Sequence, residues 1–158
     1  YARPTWPLRA DLLDWTHAMG RAIAQTTPVV ILRSGAYLDD HMDFPAPDGP
    51  NITVIQAEPW RENLAIQSAV LKRASAFVGT WGGLAQLAVR LGIPTVAFYE
   101  RWQGCSYAHL VLTQWLAVQQ GTSLVVGRPK DAEQVRAVLP MSIPVPDPPR
   151  GSSSCGQG

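Results

Sequence analysis

One stretch, residues 75–100, constrains the fold of this chain more than any other. Ala76-Phe77-Val78 is a short apolar run, which is typical of a strand buried on both faces. Glycines follow at positions 79, 82 and 83. They allow positive φ angles and close approach of a partner to the backbone. From Leu84 onward, apolar residues recur at the spacing of one helix face, which predicts a helix of about three turns.

The second half of this stretch predicts the end of the helix and the start of another strand. Gly92 stands where a left-handed helix stop would lie, and Pro94 prevents the helix from resuming. Thr95-Val-Ala-Phe-Tyr99 is then the next buried strand. The connection between the two strands is too long for a hairpin. Its length fits a parallel β-α-β unit.

The glycine turn at residues 79–83 lies where open parallel sheets bind ligands, beyond the carboxyl end of a strand. The first amides of the following helix have no intrahelical partner, and the helix dipole makes that end partly positive. A phosphate or diphosphate is therefore the expected ligand. Thr80 could add a hydroxyl donor, and Trp81 a flat surface for a base or a sugar. A glycine-rich turn can equally serve only to reverse the chain sharply.

The rest of the chain alternates strands and helices, which predicts an α/β domain at residues 1–139. The further predicted strands are 29–33, 51–55 and 124–126, and the further predicted helices are 8–25, 61–73, 107–120 and 130–139. The fold class is a doubly wound, Rossmann-like parallel sheet of about five strands, with helices on both faces. Residues 140–158, rich in Pro, Ser and Gly, are expected to be a disordered tail.

Three segments together resemble the carboxyl-terminal domain of a GT-B glycosyltransferase: Arg61-Glu-Asn-Leu-Ala-Ile-Gln-Ser68, Phe77-Val-Gly-Thr-Trp-Gly-Gly-Leu-Ala-Gln-Leu-Ala88 and Leu91-Gly-Ile-Pro-Thr-Val-Ala-Phe-Tyr99. The resemblance covers about residues 25–127 and is sharpest over 61–99. In that superfamily this domain binds the nucleotide-sugar donor. The resemblance therefore implies transfer of a sugar from a nucleotide diphosphate sugar to an unknown acceptor, without a metal or another cofactor.

The resemblance also assigns roles to residues of the turn and to parts absent from this chain. It implies that the amides of Gly82, Gly83 and Leu84 hold the diphosphate. Gln86 stands where a polar residue contacts the donor sugar or ribose, a position at which many relatives carry Glu or His. The first strand of the domain, normally central in the sheet, and the whole amino-terminal acceptor domain are expected to be missing. Alone, the chain should turn over little or nothing.

Three further side chains are candidates on more open grounds. Arg33 ends a strand on the presumed ligand side, where it could pair with a diphosphate or simply be a solvated charge. Glu100 follows a central strand and could accept hydrogen bonds from sugar or ribose hydroxyls, or pair within its loop. His109 is more simply a neutral core histidine than a ligand contact. No catalytic residue is predicted, because no Ser-His-Asp, zinc or Walker pattern occurs.

Composition excludes several classes of function. Charged residues make up 16% of the chain and the formal net charge is +1, which supports neither a nucleic-acid nor a polyanion partner. No apolar run approaches the ~20 residues that span a bilayer. No signal peptide is evident. Cys105 and Cys155 suit neither a disulfide framework nor a metal site, so a cytoplasmic location is expected.

Two other functions are compatible with the same residues. The predicted helix at 107–120 is apolar almost all round, so it is either deeply buried or faces another domain. A non-catalytic α/β interaction module would use that helix for protein contact and would not depend on a nucleotide. Half of a sugar-nucleotide epimerase, which shares the architecture, is the third alternative.

Overall fold

The computed structural model describes residues 10–33, 45–56, 60–99 and 106–131 of the 158-residue chain. The elements in chain order are α1 (Ala10–Ala24), β1 (Val29–Arg33), β2 (Ile52–Gln56), a 3-10 turn (Trp60–Glu62), α2 (Asn63–Leu71), β3 (Phe77–Thr80), α3 (Gly83–Arg90), β4 (Thr95–Phe98), α4 (Tyr107–Gln120), β5 (Leu124–Gly127) and a second 3-10 turn (Pro129–Asp131).

The order and type of these elements confirm the sequence prediction within the described residues. All five predicted strands form, and their bounds lie within two residues of those expected. Four of the five predicted helices form, although the first turn of the one expected at 61–73 is a 3-10 turn. Of the helix expected at 130–139, the structure describes only a 3-10 turn, Pro129–Asp131. The tail at 140–158 lies outside the described residues.

The five strands pair in parallel, but in two sheets. One sheet has the order β1-β2 and the other the order β3-β4-β5. In the larger sheet Thr80, Phe98 and Gly127 lie in one row at the carboxyl ends of their strands. The expected parallel α/β architecture is confirmed. A single sheet of about five strands was expected, but the described strands form two sheets. Neither β1 nor β2 is hydrogen-bonded to β3, β4 or β5.

Strand β4 is the centre of the fold, and α1 covers one of its faces. All four residues of β4 are buried. Leu12, Trp15 and Met19 recur at helical spacing on α1 and pack against Val96 and Phe98. The Trp15 and Phe98 rings meet edge to face, with centroids 4.9 Å apart and planes at 83°, a favourable geometry for two aromatic rings.

The opposite face of β4 is covered by α3 and α4. Ala97, between Val96 and Phe98, is buried with Ala85 of α3 and with Trp81, and Leu110 of α4 packs against this cluster. Because side chains alternate between the faces of a strand, the α1 side and the α3/α4 side of β4 carry different residues. Helices therefore lie on both faces of the three-stranded sheet.

Glycines end two of these helices in the left-handed conformation. Gly92 after α3 has φ +76°, and Gly121 after α4 has φ +62°. The amide of Ile93 donates to the Ala88 carbonyl (3.0 Å) and that of Gly92 to the Val89 carbonyl (2.9 Å), which completes a Schellman motif. The helix stop predicted at Gly92 is confirmed.

Within the described residues, no helix combines the length and the apolar character needed to cross a membrane.

Loss of the α1–β4 contact should destabilise the protein strongly. We expect Trp15→Ala to lower the free energy of unfolding by about 3–5 kcal/mol, because the ring is 4% exposed and its removal leaves a cavity. Trp115→Ala is the matched control: that ring is 57% exposed, and the expected change is within about 0.5 kcal/mol. Urea unfolding followed by far-UV circular dichroism measures both. Equal losses would contradict the packing described for α1.

Candidate functional site

The turn from β3 into α3 is held at the carboxyl edge of the three-stranded sheet. Thr80, the last residue of β3, is paired with Phe98 in the sheet register and its side chain is exposed. The next amide, that of Trp81, donates to the Phe98 carbonyl at 2.8 Å. The chain therefore leaves β3 from a fixed point beside the end of β4, where ligands of parallel sheets collect.

The glycines of this turn do not use the positive φ angles that glycine allows. Gly82 is extended, with φ 174° and ψ −162°. In the described part of the chain the left-handed glycines are Gly92 and Gly121. Gly79 has a packing role instead, because a Cβ atom there would lie 2.8 Å from Cζ of Phe77.

Space, rather than backbone conformation, is what Gly82 and Gly83 supply. Among the described residues, a Cβ atom added at either position would meet no other group within 4 Å. The first intrahelical hydrogen bond of α3 runs from the amide of Gln86 to the carbonyl of Gly82, at 3.1 Å. The three preceding amides, at 83–85, are the donors that a helix leaves to outside partners. The N-cap residue is Gly82, which has no side chain that could accept a hydrogen bond from these amides.

Electrostatics favour an anion at this place. Helix α3 has no acidic residue in its first turn, so no side chain of that turn offsets the positive end of the helix dipole. A phosphate group next to 83–85 would accept backbone hydrogen bonds that water otherwise makes. Leu84 and Gln86 follow in the first turn, and both side chains are partly buried.

Trp81 belongs to the core rather than to an open surface. Its side chain is 5% exposed and clusters with Ala85 and Ala97. Such burial leaves little of the ring for stacking on a base or a sugar, the role that the sequence suggested. The indole instead anchors the turn to the sheet, which fixes the adjacent Gly82 and Gly83.

Arg128 also lies at this edge of the sheet, and the sequence patterns did not single it out as a candidate. It directly follows β5, and the Tyr99 amide donates to the carbonyl of the preceding Gly127 at 3.0 Å. Its guanidinium carbon lies 5.8 Å from the centroid of the Tyr99 ring, so the side chain leans from β5 toward β4. Its Nε atom is buried and meets no hydrogen-bond acceptor among the described residues.

Tyr99 places that guanidinium on the same face of the sheet as α3. The Tyr99 ring packs against the cluster of Trp81, Ala85 and Ala97, which lies on the α3/α4 side. A cation and the open amides at 83–85 thus lie on one face, at the carboxyl ends of β3, β4 and β5. The signal that could have found Arg128 is its position, one residue after a strand end, which is also what singled out Arg33.

The remaining candidates lie on other elements or outside the described residues. Arg33 ends β1, in the two-stranded sheet, where it is paired with Gln56 in the register. Glu100 lies outside the described residues. His109 is exposed in the first turn of α4, and its backbone amide is capped by Ser106 Oγ at 3.4 Å. The expectation of a core histidine is therefore wrong, because position 109 lies on the solvent side of α4.

The described residues hold no group of three or more His, Cys, Asp or Glu side chains that could bind a metal ion. Comparison of the chain with known protein families, with curated proteins and with solved structures found no match.

The two roles of glycine at this site can be separated by mutation. Gly79→Ala should lower the melting temperature, because the Phe77 ring must move away from the new methyl group; overpacking of this kind costs about 1–3 kcal/mol. Gly83→Ala places the same methyl group in open space at the start of a helix, where alanine is at least as favourable as glycine. Differential scanning calorimetry should show a loss for the first variant and no loss for the second. The reverse order would contradict the assignment.

Proposed function

We propose that this chain is the donor-binding half of a glycosyltransferase, which takes a sugar from a nucleotide diphosphate sugar. The observation that carries the proposal is the open start of α3 at Gly82 and Gly83, with Arg128 on the same face of the sheet edge. The likeness of residues 61–99 to GT-B donor domains supports the same assignment. The proposal includes the finer fold, a doubly wound, Rossmann-like sheet.

In the reaction, the donor-binding half would stabilise the diphosphate as it leaves the sugar. Negative charge grows on the diphosphate as the bond to the sugar breaks, and fixed amides stabilise that charge without reorganising. The amides at 83–85 would take the phosphate oxygens, and Arg128 would add a charge-assisted hydrogen bond. In this scheme no metal ion is required. Thr80, Gln86 and Glu100 would orient the donor through its hydroxyl groups.

The acceptor side of the reaction would come from a second domain, which also closes the cleft. The described residues offer amides and a cation at this edge, but no assigned general base. We therefore expect this chain alone to bind a donor weakly and to catalyse little transfer.

A second candidate function, a protein-interaction module, is favoured by the outer face of α4. Five large apolar side chains of this helix are between 45% and 76% exposed: Tyr107, Val111, Leu112, Trp115 and Val118. The helix contains no Asp, Glu, Lys or Arg. The structure leaves much of this helix exposed, so it is not deeply buried; contact with another domain, the other alternative for it, is part of this proposal. An apolar face with Trp and Tyr is typical of the centre of protein interfaces.

The proposal predicts that one nucleoside diphosphate stabilises the folded chain. We expect a thermal-shift and calorimetric titration with UDP, GDP, ADP and CDP to show saturable binding of one of them. A ligand at ~100 times its dissociation constant adds about 2.7 kcal/mol of stability. Gly83→Asp should abolish this response, because a carboxylate would occupy the phosphate position. Arg128→Gln should weaken binding about tenfold or more, the worth of one charge-assisted hydrogen bond.

The variants contain their own controls. An acidic residue in the first turn of a helix favours the helix dipole, so Gly83→Asp should be at least as stable as the unmodified chain without ligand. Gly83→Ala, which adds volume without charge, should keep more of the binding than Gly83→Asp. A folded chain that responds to none of the four nucleotides would refute the donor site and favour the interaction module.

A further inference from the structure

The outward side of α4 carries a line of residues at the spacing with which one helix packs on another. Ala108, Val111, Trp115 and Val118 are all exposed. They follow one another at intervals of three, four and three residues, the a/d pattern of two heptads along this 14-residue helix. Thr113, on the opposite side of the helix, is buried. These four exposed residues form what we call the α4 seam.

The charge distribution of α4 selects an uncharged, antiparallel partner. The helix has no acidic residue in its first turn and no basic residue in its last, so its own side chains leave both ends of its dipole without a compensating charge. An antiparallel helix would set its negative end beside the positive end of α4, and the reverse at the other end. A charged partner surface would lose its hydration against this face without gaining an ion pair. The α4 of a second copy meets both requirements.

The sizes of the side chains in the α4 seam also fit an antiparallel pair. When two such helices cross at position 113, Trp115 faces Val111 of the second copy, and Ala108 faces Val118 of the second copy. Two-fold symmetry repeats each contact, so a large residue meets a smaller one in every layer. A parallel pair would set Trp115 against its own copy and Ala108 against its own copy. That arrangement is crowded in one layer and leaves a gap in another.

The area of the face is sufficient for a specific but weak pair. The five large apolar side chains of α4, which are between 45% and 76% exposed, present roughly 500 Å² per copy. Two copies would bury about 1,000 Å², the lower limit for a specific interface. Trp115 lies near the middle of the seam and is 57% exposed, so it is the expected main contributor. An interface of this size predicts a dissociation constant on the order of 10 µM.

We propose that the partner of α4 is a second copy of this chain. Two copies pack α4 against α4, antiparallel, around a two-fold axis at position 113, with Trp115 of each in contact with Val111 of the other. This inference rests on the second candidate function, the interaction face of α4, and does not depend on the donor site. The stability comparison of Trp15→Ala with Trp115→Ala refers to the monomer and is made below the dissociation constant, because association stabilises the folded chain by mass action.

Sedimentation equilibrium of the full 158-residue chain tests the proposal. The mass should rise reversibly from 17.2 kDa to twice that value as the concentration passes through the micromolar range. Trp115→Glu should raise the dissociation constant at least ~30-fold, because it removes the central ring and puts a carboxylate into an apolar contact. His109→Glu is the matched control, since it adds the same charge to an exposed position of α4 outside the seam. Its dissociation constant should stay within about threefold of that of the unmodified chain.

Cross-linking tests the antiparallel arrangement without disturbing Trp115. In a chain that carries Cys105→Ser and Cys155→Ser, either Ala108→Cys or Val118→Cys is added. A short bismaleimide should join the two variants when they are mixed, because these positions face each other across the pair. Neither variant alone should be joined, since the two copies of either position lie about 15 Å apart along the helix axis. A parallel pair would give the opposite pattern.

Several results would overturn the proposal. These are a chain that stays monomeric at ~1 mM, equal effects of the two glutamate variants, and cross-linking of either cysteine variant alone. A chain that dimerises only after removal of residues 132–158 would also overturn it, because its own tail would then be the partner of α4. Nucleotide titration of Trp115→Glu, the monomeric variant, keeps the donor proposal separate, so failure of one proposal is distinguishable from failure of the other.

Discussion

The packing of Trp15 against Phe98 connects the beginning of the described chain to its central strand. A strand buried on both faces needs two covers, and those of β4 come from different parts of the sequence. Helices α3 and α4 flank β4 in the chain and cover one side. The other side depends on α1, which contributes Leu12, Trp15 and Met19. Without α1, Val96 and Phe98 would face water, and burial of apolar surface is the main force that holds such layers together.

Strand β4 also fixes the geometry of the candidate site. Phe98 accepts the amide of Trp81, and the Tyr99 amide donates to Gly127, so the ends of β3, β4 and β5 are held in line. Backbone donors placed by a sheet need little reorganisation to meet an anion, unlike donors on long side chains. The buried indole of Trp81 and the ring of Tyr99 belong to one apolar cluster, and Arg128 lies over the Tyr99 ring. Core packing and ligand geometry are thus properties of one cluster.

Local patterns predicted the elements well, and non-local relations poorly. Apolar runs located five strands, and the stop at Gly92 was evident because only glycine takes that conformation easily. The sequence could not tell that Gly79 makes room for Phe77 while Gly83 faces open space, since both roles need only the absence of a side chain. Arg128 was missed because an arginine after a strand is usually solvated. Pairing into two sheets depends on contacts between distant residues, which no local pattern encodes.

The dependence of β4 on α1 has a consequence for synthesis of the chain. Trp15 and Phe98 are far apart in sequence, whereas β3, α3, β4, α4 and β5 follow one another directly. At about 5–20 residues per second, a ribosome needs on the order of ten seconds to make the segment between the two rings. During that time the apolar face of α1 cannot pack against β4. Residues 10–24 are therefore available to a chaperone that binds apolar helix faces before β4, the strand that they cover, has been made.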